Sequence, residues 1–123
     1  MTYHNMTRVP KVADLEIELA YLERPVRLYK RPLLDDFLIE ASKLAELVVF
    51  SAAVEGYVRE VASKLDPGGR LFGGRVLTRT HCTPVDAMLA KDLSRLGRPL
   101  ERLILVDDNV ASCMLQVSEQ ASK

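Results

Sequence analysis

The chain has 123 residues, which suits one small domain, and with 48% apolar and 28% charged residues it can bury a core. Lys+Arg and Asp+Glu are 17 each, so a net charge of zero gives no global pull toward nucleic acid or an anionic membrane. Direct nucleic-acid binding is therefore not expected, and any anion site is local. No apolar run approaches the ~20 residues of a membrane span. Met1 to Pro10 has no acylation signal or clear presequence character. Cys82 and Cys113 form no metal-ligand spacing, and His4 and His81 lie too far apart in sequence to supply a zinc site or a Ser-His-Asp triad well. An intracellular, nuclear or cytoplasmic setting is the expectation from these features.

In chain order, Val12 to Leu19 alternates, with Leu15, Ile17 and Leu19 on one face and Asp14, Glu16 and Glu18 on the other. That is the pattern of a half-buried strand. Val26 to Lys30 reads as a second strand after a turn at Glu23-Arg24-Pro25. Pro32 suits the first turn of a helix over Leu33 to Ala45, where Leu34, Phe37, Leu38, Ala41 and Leu44 recur at helical spacing. Leu47-Val48-Val49-Phe50 is wholly apolar and predicts a buried parallel strand. Val54, Tyr57, Val58, Val61 and Leu65 predict a second helix over Val54 to Leu65, stopped by Pro67-Gly68-Gly69. Residues 70–90 break into short pieces and predict a small antiparallel β insertion. Asp92 to Leu96 is a helical turn closed by Gly97. Leu103-Ile104-Leu105-Val106 predicts a second buried strand ending on Asp107-Asp108, followed by a short helical or frayed tail to Lys123. The order is α/β, and in such folds ligands sit beyond the carboxyl ends of parallel strands. Ser51 and Asp107-Asp108 stand at those ends.

Phosphoryl transfer needs donors to the phosphoryl oxygens, a cation at the developing charge, and carboxylates for Mg²⁺. Ser51, Lys91 and Asp107-Asp108 supply each of these. Taken singly they say less: a serine after a strand is ordinarily a helix cap, a lysine a solvated charge, an acidic pair a turn, and Arg79 an insertion-face charge. His81-Cys82 cannot close a zinc site, and a small buried cysteine is the simpler reading. Leu105-Val106-Asp107-Asp108-Asn109 has the look of a receiver-domain start, but only 14 residues follow Asn109.

The ordered set of stretches is more specific. Lys30-Arg31-Pro32 with Asp35-Asp36-Phe37-Leu38, Leu47 to Ala52, Lys64-Leu65-Asp66, Arg79-Thr80-His81-Cys82, Lys91 to Arg98 and Ile104 to Asp108 together closely resemble the Fcp/Scp-type phosphatases of the haloacid dehalogenase superfamily. These are also called CTD small phosphatases or NLI-interacting-factor-like proteins. The resemblance covers about two-thirds of the chain, from Lys30 to Leu115. It implies a haloacid-dehalogenase-type Rossmann sheet with a small β insertion, phosphoserine or phosphothreonine proteins and peptides as substrates, Mg²⁺, and an aspartyl-phosphate intermediate. It places Ser51 and Lys91 on the phosphoryl group, Arg79 beside the phosphate, and Asp107 and Asp108 on the acid pair, the second nearest the metal.

One departure outweighs these matches. Such enzymes need an apolar strand ending in Asp-x-Asp-x-Thr upstream of the Lys-Arg-Pro stretch, and the sequence contains none. Asp14-Leu15-Glu16-Ile17-Glu18 comes nearest but lacks the threonine, the second aspartate and a full apolar strand before it. Ala87-Met88-Leu89-Ala90 also replaces the family's Gly-x-aromatic before Lys91. The expectation is a partial sheet spanning 1–123 as one domain, truncated at both ends and inactive by itself, with a slot that a partner strand could complete. A non-catalytic phosphopeptide-binding pseudophosphatase and a relative of the mitochondrial presequence-translocase receptor are the alternatives.

Overall fold

The computed structural model describes residues 12–108, and the expected tail beyond Asp108 lies outside them. Strand β1 (Leu15–Ile17) pairs antiparallel with β2 (Val26–Leu28), Leu15 opposite Leu28 and Ile17 opposite Val26. The Asp14 carboxylate closes this hairpin by accepting the Lys30 N–H at 2.7 Å. The alternation works as expected: Ile17 and Leu19 are buried while the acidic residues face solvent.

Helix α1 (Leu34–Leu44) follows. Pro32 precedes its N-cap, Leu33, which takes φ +65° and is exposed, so the proline ends the incoming chain and is not itself in the first turn. Strand β3 (Val49–Phe50), helix α2 (Glu55–Leu65) and strand β4 (Val76–Leu77) make a parallel β-α-β unit. Val49 N–H donates to Arg75 O at 2.9 Å and Ser51 N–H to Leu77 O at 3.0 Å. The core lies on α2, where Val58 and Ala62 meet Phe72 and Val76, with Leu38, Leu47, Val49 and Leu71 around them. Helix α2 is amphipathic with Val58 inward, as its spacing predicts.

Two loop residues hold that unit. The Asp66 carboxylate accepts three backbone N–H groups, from Arg70, Leu71 and Phe72, at 2.9–3.0 Å. Arg75 reaches back to Leu47 O at 2.8 Å and to Leu71 O. Gly73, at φ +56°, sits in the left-handed region that strains any side chain, and a Cβ there would also push the Arg75 guanidinium, 2.7 Å away, aside.

The expected insertion over 70–90 divides. Val76–Leu77 belongs to the parallel pair, and only β5 (Thr83–Val85) with β6 (Met88–Ala90) forms an antiparallel hairpin. A 3₁₀ turn at Leu93–Leu96 starts on Asp92, which accepts the Ser94 N–H, and ends on Gly97 at φ +73°.

The strand expected at Leu103–Val106 is absent. Leu103 and Leu105 are half-buried, but Ile104 is 91% and Val106 77% exposed. An apolar run becomes a sheet strand only where a neighbour offers matching N–H and C=O groups. Among the described residues none does so here. The expected Rossmann sheet is thus represented by three two-stranded ladders, one of them parallel. The architecture is mixed α/β. Val48, 38% exposed, shows that the β3 region is also less enclosed than its composition predicts.

Candidate functional site

Ser51 follows β3 directly and is half-buried. Its Oγ accepts the Ala53 N–H at 3.2 Å, which makes it the cap of the tight turn into α2. Accepting that bond leaves the hydroxyl proton available for donation. Arg79 opens a 3₁₀ turn (Arg79–His81) after β4, and its Nε donates to Ala52 O at 2.8 Å. The backbone N–H of Arg79 donates to Ala53 O at 3.1 Å. The two parallel strands therefore bring Ser51 and Arg79 to one end of the β-α-β unit, from residues 28 positions apart.

Lys91 leaves β6 with only 8% of its surface exposed, and its ammonium is ion-paired with the Asp107 carboxylate. The two side chains are 10% and 12% exposed, so this is a desolvated pair joining the hairpin end to the end of the Leu103–Val106 segment. Asp108 is exposed.

Cys82 connects the two halves. It is a free, buried thiol that donates to Thr78 O at 3.8 Å. Burial pushes the thiol up, against the pull of the Lys91 and Arg79 charges. The thiol therefore stays protonated and inert. The structure thus brings Ser51 and Arg79 to one end of the β-α-β unit and pairs Lys91 with Asp107.

A metal can be judged from the donor set. No group of three or more His, Cys, Asp and Glu side chains converges among the described residues. Asp107 and Asp108 are the carboxylates that follow the Leu103–Val106 segment, one engaged with Lys91 and one in solvent. Mg²⁺ takes one or two carboxylates and keeps several waters, so this pair fits that ion and does not fit an all-protein cage.

Asp14, the first residue of the nearest acidic run, is spent on the Lys30 amide, and that run forms β1 of the hairpin. An open groove of about 370 Å³ lies between this hairpin and α1, lined by Asp14, Lys30, Arg31 and Asp35. Its charges largely cancel, with Lys30 Nζ held by Asp35 at 3.0 Å.

Sequence reasoning assigned no role to Asp66 or His81. Asp66 was readable as an acceptor from its place before Pro67-Gly68-Gly69. The three backbone bonds, that to Phe72 first, hold its carboxyl below the usual carboxylate range despite the cost of burial. His81 Nδ1 accepts the Thr78 N–H at 2.8 Å, which fixes the neutral ring with its proton on Nε2. Nothing in the local sequence announces that bond.

Comparison with known proteins adds the family. The chain is 38% identical over 98 residues to the CTD nuclear envelope phosphatase 1 homolog of Drosophila melanogaster, covering 78% of this chain and 40% of that protein. It is 38% identical over 98 residues to the carboxy-terminal domain RNA polymerase II polypeptide A small phosphatase 1 of Homo sapiens, covering 80% and 37%. It is 42% identical over 87 residues to the CTD small phosphatase-like protein of Homo sapiens, covering 71% and 31%. The chain thus spans less than half the length of these relatives. Residues 2–121 match the family described as NLI interacting factor-like phosphatase, and the chain belongs to that family.

Proposed function

We propose that these 123 residues carry the phosphate- and metal-handling part of a Mg²⁺-dependent protein serine/threonine phosphatase site, and that they do not hydrolyse phosphoesters by themselves. The observation that carries the reading is the Lys91–Asp107 pair, whose side chains are largely withdrawn from water, in a chain whose β-α-β unit carries Ser51 and Arg79 at one end. A buried cation with an acidic partner is suited to neutralise a phosphoryl group when one arrives. In this reading Ser51 donates its hydroxyl proton to a phosphoryl oxygen, Arg79 and Lys91 neutralise the anion, and Asp107 and Asp108 hold the ion. Held there by Asp107 and Asp108, Mg²⁺ would offset the negative charge of the phosphoryl group. No Asp-x-Asp-x-Thr occurs in the sequence to provide the nucleophile. A strand bearing one would have to pair with the edge of β3 that β4 leaves uncovered. Relatives named as nuclear envelope and RNA polymerase II phosphatases support a phosphorylated protein as the partner and a nuclear or adjoining cytoplasmic setting.

The test is a phosphatase assay with Mg²⁺ on the purified chain, where no turnover above buffer is expected. Turnover abolished by Asp108→Ala but retained in Asp14→Ala would overturn the reading. Turnover lost on Asp14→Ala would move the nucleophile to the hairpin. A non-catalytic role is the second reading, favoured by Ser51 and Arg79 standing at one end of the β-α-β unit. It expects a phosphopeptide to bind more tightly than its unphosphorylated form, and equal affinities would exclude it.

A further inference from the structure

We propose that His81 is a positioning residue for Arg79: its ring ties down the turn that carries the guanidinium and so sets where an incoming phosphate meets it. The phosphate half of this rests on Arg79 being the anion's partner in the proposed site; the hold of His81 on Arg79 does not. Arg79 opens the turn Arg79–His81, and Thr78 caps it in an extended conformation, φ −126° and ψ −169°. Leu77 O and Arg79 N–H bond to Ser51 and Ala53 on the β3 side. Backbone groups alternate in direction along an extended chain, so the Thr78 N–H between them faces the opposite edge. Among the described residues β4 has no strand on that edge. Thr78 is 0% exposed, so its amide cannot turn to water and needs an acceptor. His81 Nδ1 supplies one at 2.8 Å, and the His81 N–H donates in return to Thr78 O at 2.8 Å. The turn is thereby closed by bonds in both directions.

What the turn holds is Arg79. Its N–H donates to Ala53 O at 3.1 Å and its Nε to Ala52 O at 2.8 Å. Both carbonyls belong to the tight turn that the Ser51 hydroxyl caps. With Nε bonded, the N–H groups on Nη1 and Nη2 bond to no described residue and are left for a ligand. A guanidinium fixed at one nitrogen is a pre-oriented fork, and less freedom is lost when a phosphate binds it. The hold depends on an acceptor at Nδ1, because a protonated ring donates from both nitrogens and offers none. Without that acceptor the Thr78 amide reaches water only by unwinding the turn, which draws Arg79 off Ala52. Asparagine places an oxygen where Nδ1 stands, whereas leucine fills similar space and accepts nothing.

Nuclear magnetic resonance of the full chain tests this, with inorganic phosphate as the probe. In the wild type the His81 ring should show a bare Nδ1 and a protonated Nε2. In His81→Leu the Thr78 amide should exchange with solvent about tenfold faster or more. The order parameter of the Arg79 Nε–H should fall from about 0.85 to below about 0.6. The phosphate dissociation constant should rise about fivefold. His81→Asn should restore all three, and circular dichroism checks that each variant is folded. In an Arg79→Ala background, His81→Leu should leave phosphate affinity unchanged, since its effect passes through Arg79. An equal loss of affinity in both backgrounds gives His81 to the fold at large and overturns the proposal. So does an Arg79 side chain equally ordered in all variants, or His81→Asn behaving as His81→Leu does. A wild-type ring with its proton on Nδ1 overturns it without any variant. Phosphate held as tightly by Arg79→Ala as by the wild type overturns the phosphate half alone, and the Thr78 exchange and Arg79 order then decide the hold of His81.

Discussion

The first strand of the domain and the segment before its acidic pair invert what their compositions predict. β1 alternates apolar and acidic residues, while Leu103–Val106 is apolar throughout. On composition alone the second should be the more deeply buried. Yet Ile17 is fully buried and Ile104 is 91% exposed. β1 has β2 beside it and packs against α2, whereas the amides of Ile104 to Val106 meet no described neighbour. Burial in this small domain is decided by which element supplies the adjoining face. Hydrophobicity states what a segment is able to bury, and topology decides whether it does.

The largest effect that can break this comparison comes from Ile17. Ile17→Ala should cost about 2–5 kcal/mol in urea unfolding, because the deleted carbons leave a cavity between the hairpin and α2. A loss below about 1 kcal/mol would mean that the hairpin collapses onto the gap or contributes little, and the contrast with Ile104 would fail.

Much of this was legible in the sequence, and the reasons differ from place to place. Both helices follow from apolar spacing, and the alternation of Leu15, Ile17 and Leu19 correctly gave the inward face of β1. The pairing of Val76–Leu77 with β3 was not legible. Two apolar residues between Gly74 and Thr78 carry no periodicity, and their partner is set by the loop that Asp66 and Arg75 tie down. The strand at Leu103–Val106 was misread for the reason just given, since an apolar run does not record whether its neighbour is there. For the candidate site, residue identities and their order were readable at Ser51, Arg79, Lys91 and Asp107. The ion pair between Lys91 and Asp107 and the bond from Arg79 to Ala52 were not, because both are contacts between distant parts of the chain.

The next effect in size belongs to Asp66, which turns a polar side chain into a core-building element. Its carboxyl lies below the ordinary range, chiefly because the Phe72 amide donates to it. The native state therefore binds fewer protons than the unfolded chain near the unfolded value of about 3.9. The stability from this group is fully present above that value and is lost as pH falls through the depressed native value. Asp66→Asn should lower the Tm by about 5 °C at neutral pH. It should also flatten the decline in Tm that the wild type shows on acidification below about pH 4. A decline of the same steepness in both proteins would assign it to other carboxylates.

Ile104→Ser should have the smallest effect on folding, within about 0.5 kcal/mol in dilute solution, since the side chain is already in water. If the unfolding free energy falls by more than about 1.5 kcal/mol, Ile104 is covered from within its own chain, and the inversion between the two segments disappears. An unchanged unfolding midpoint keeps the inversion, because a side chain already in water has no contact to lose.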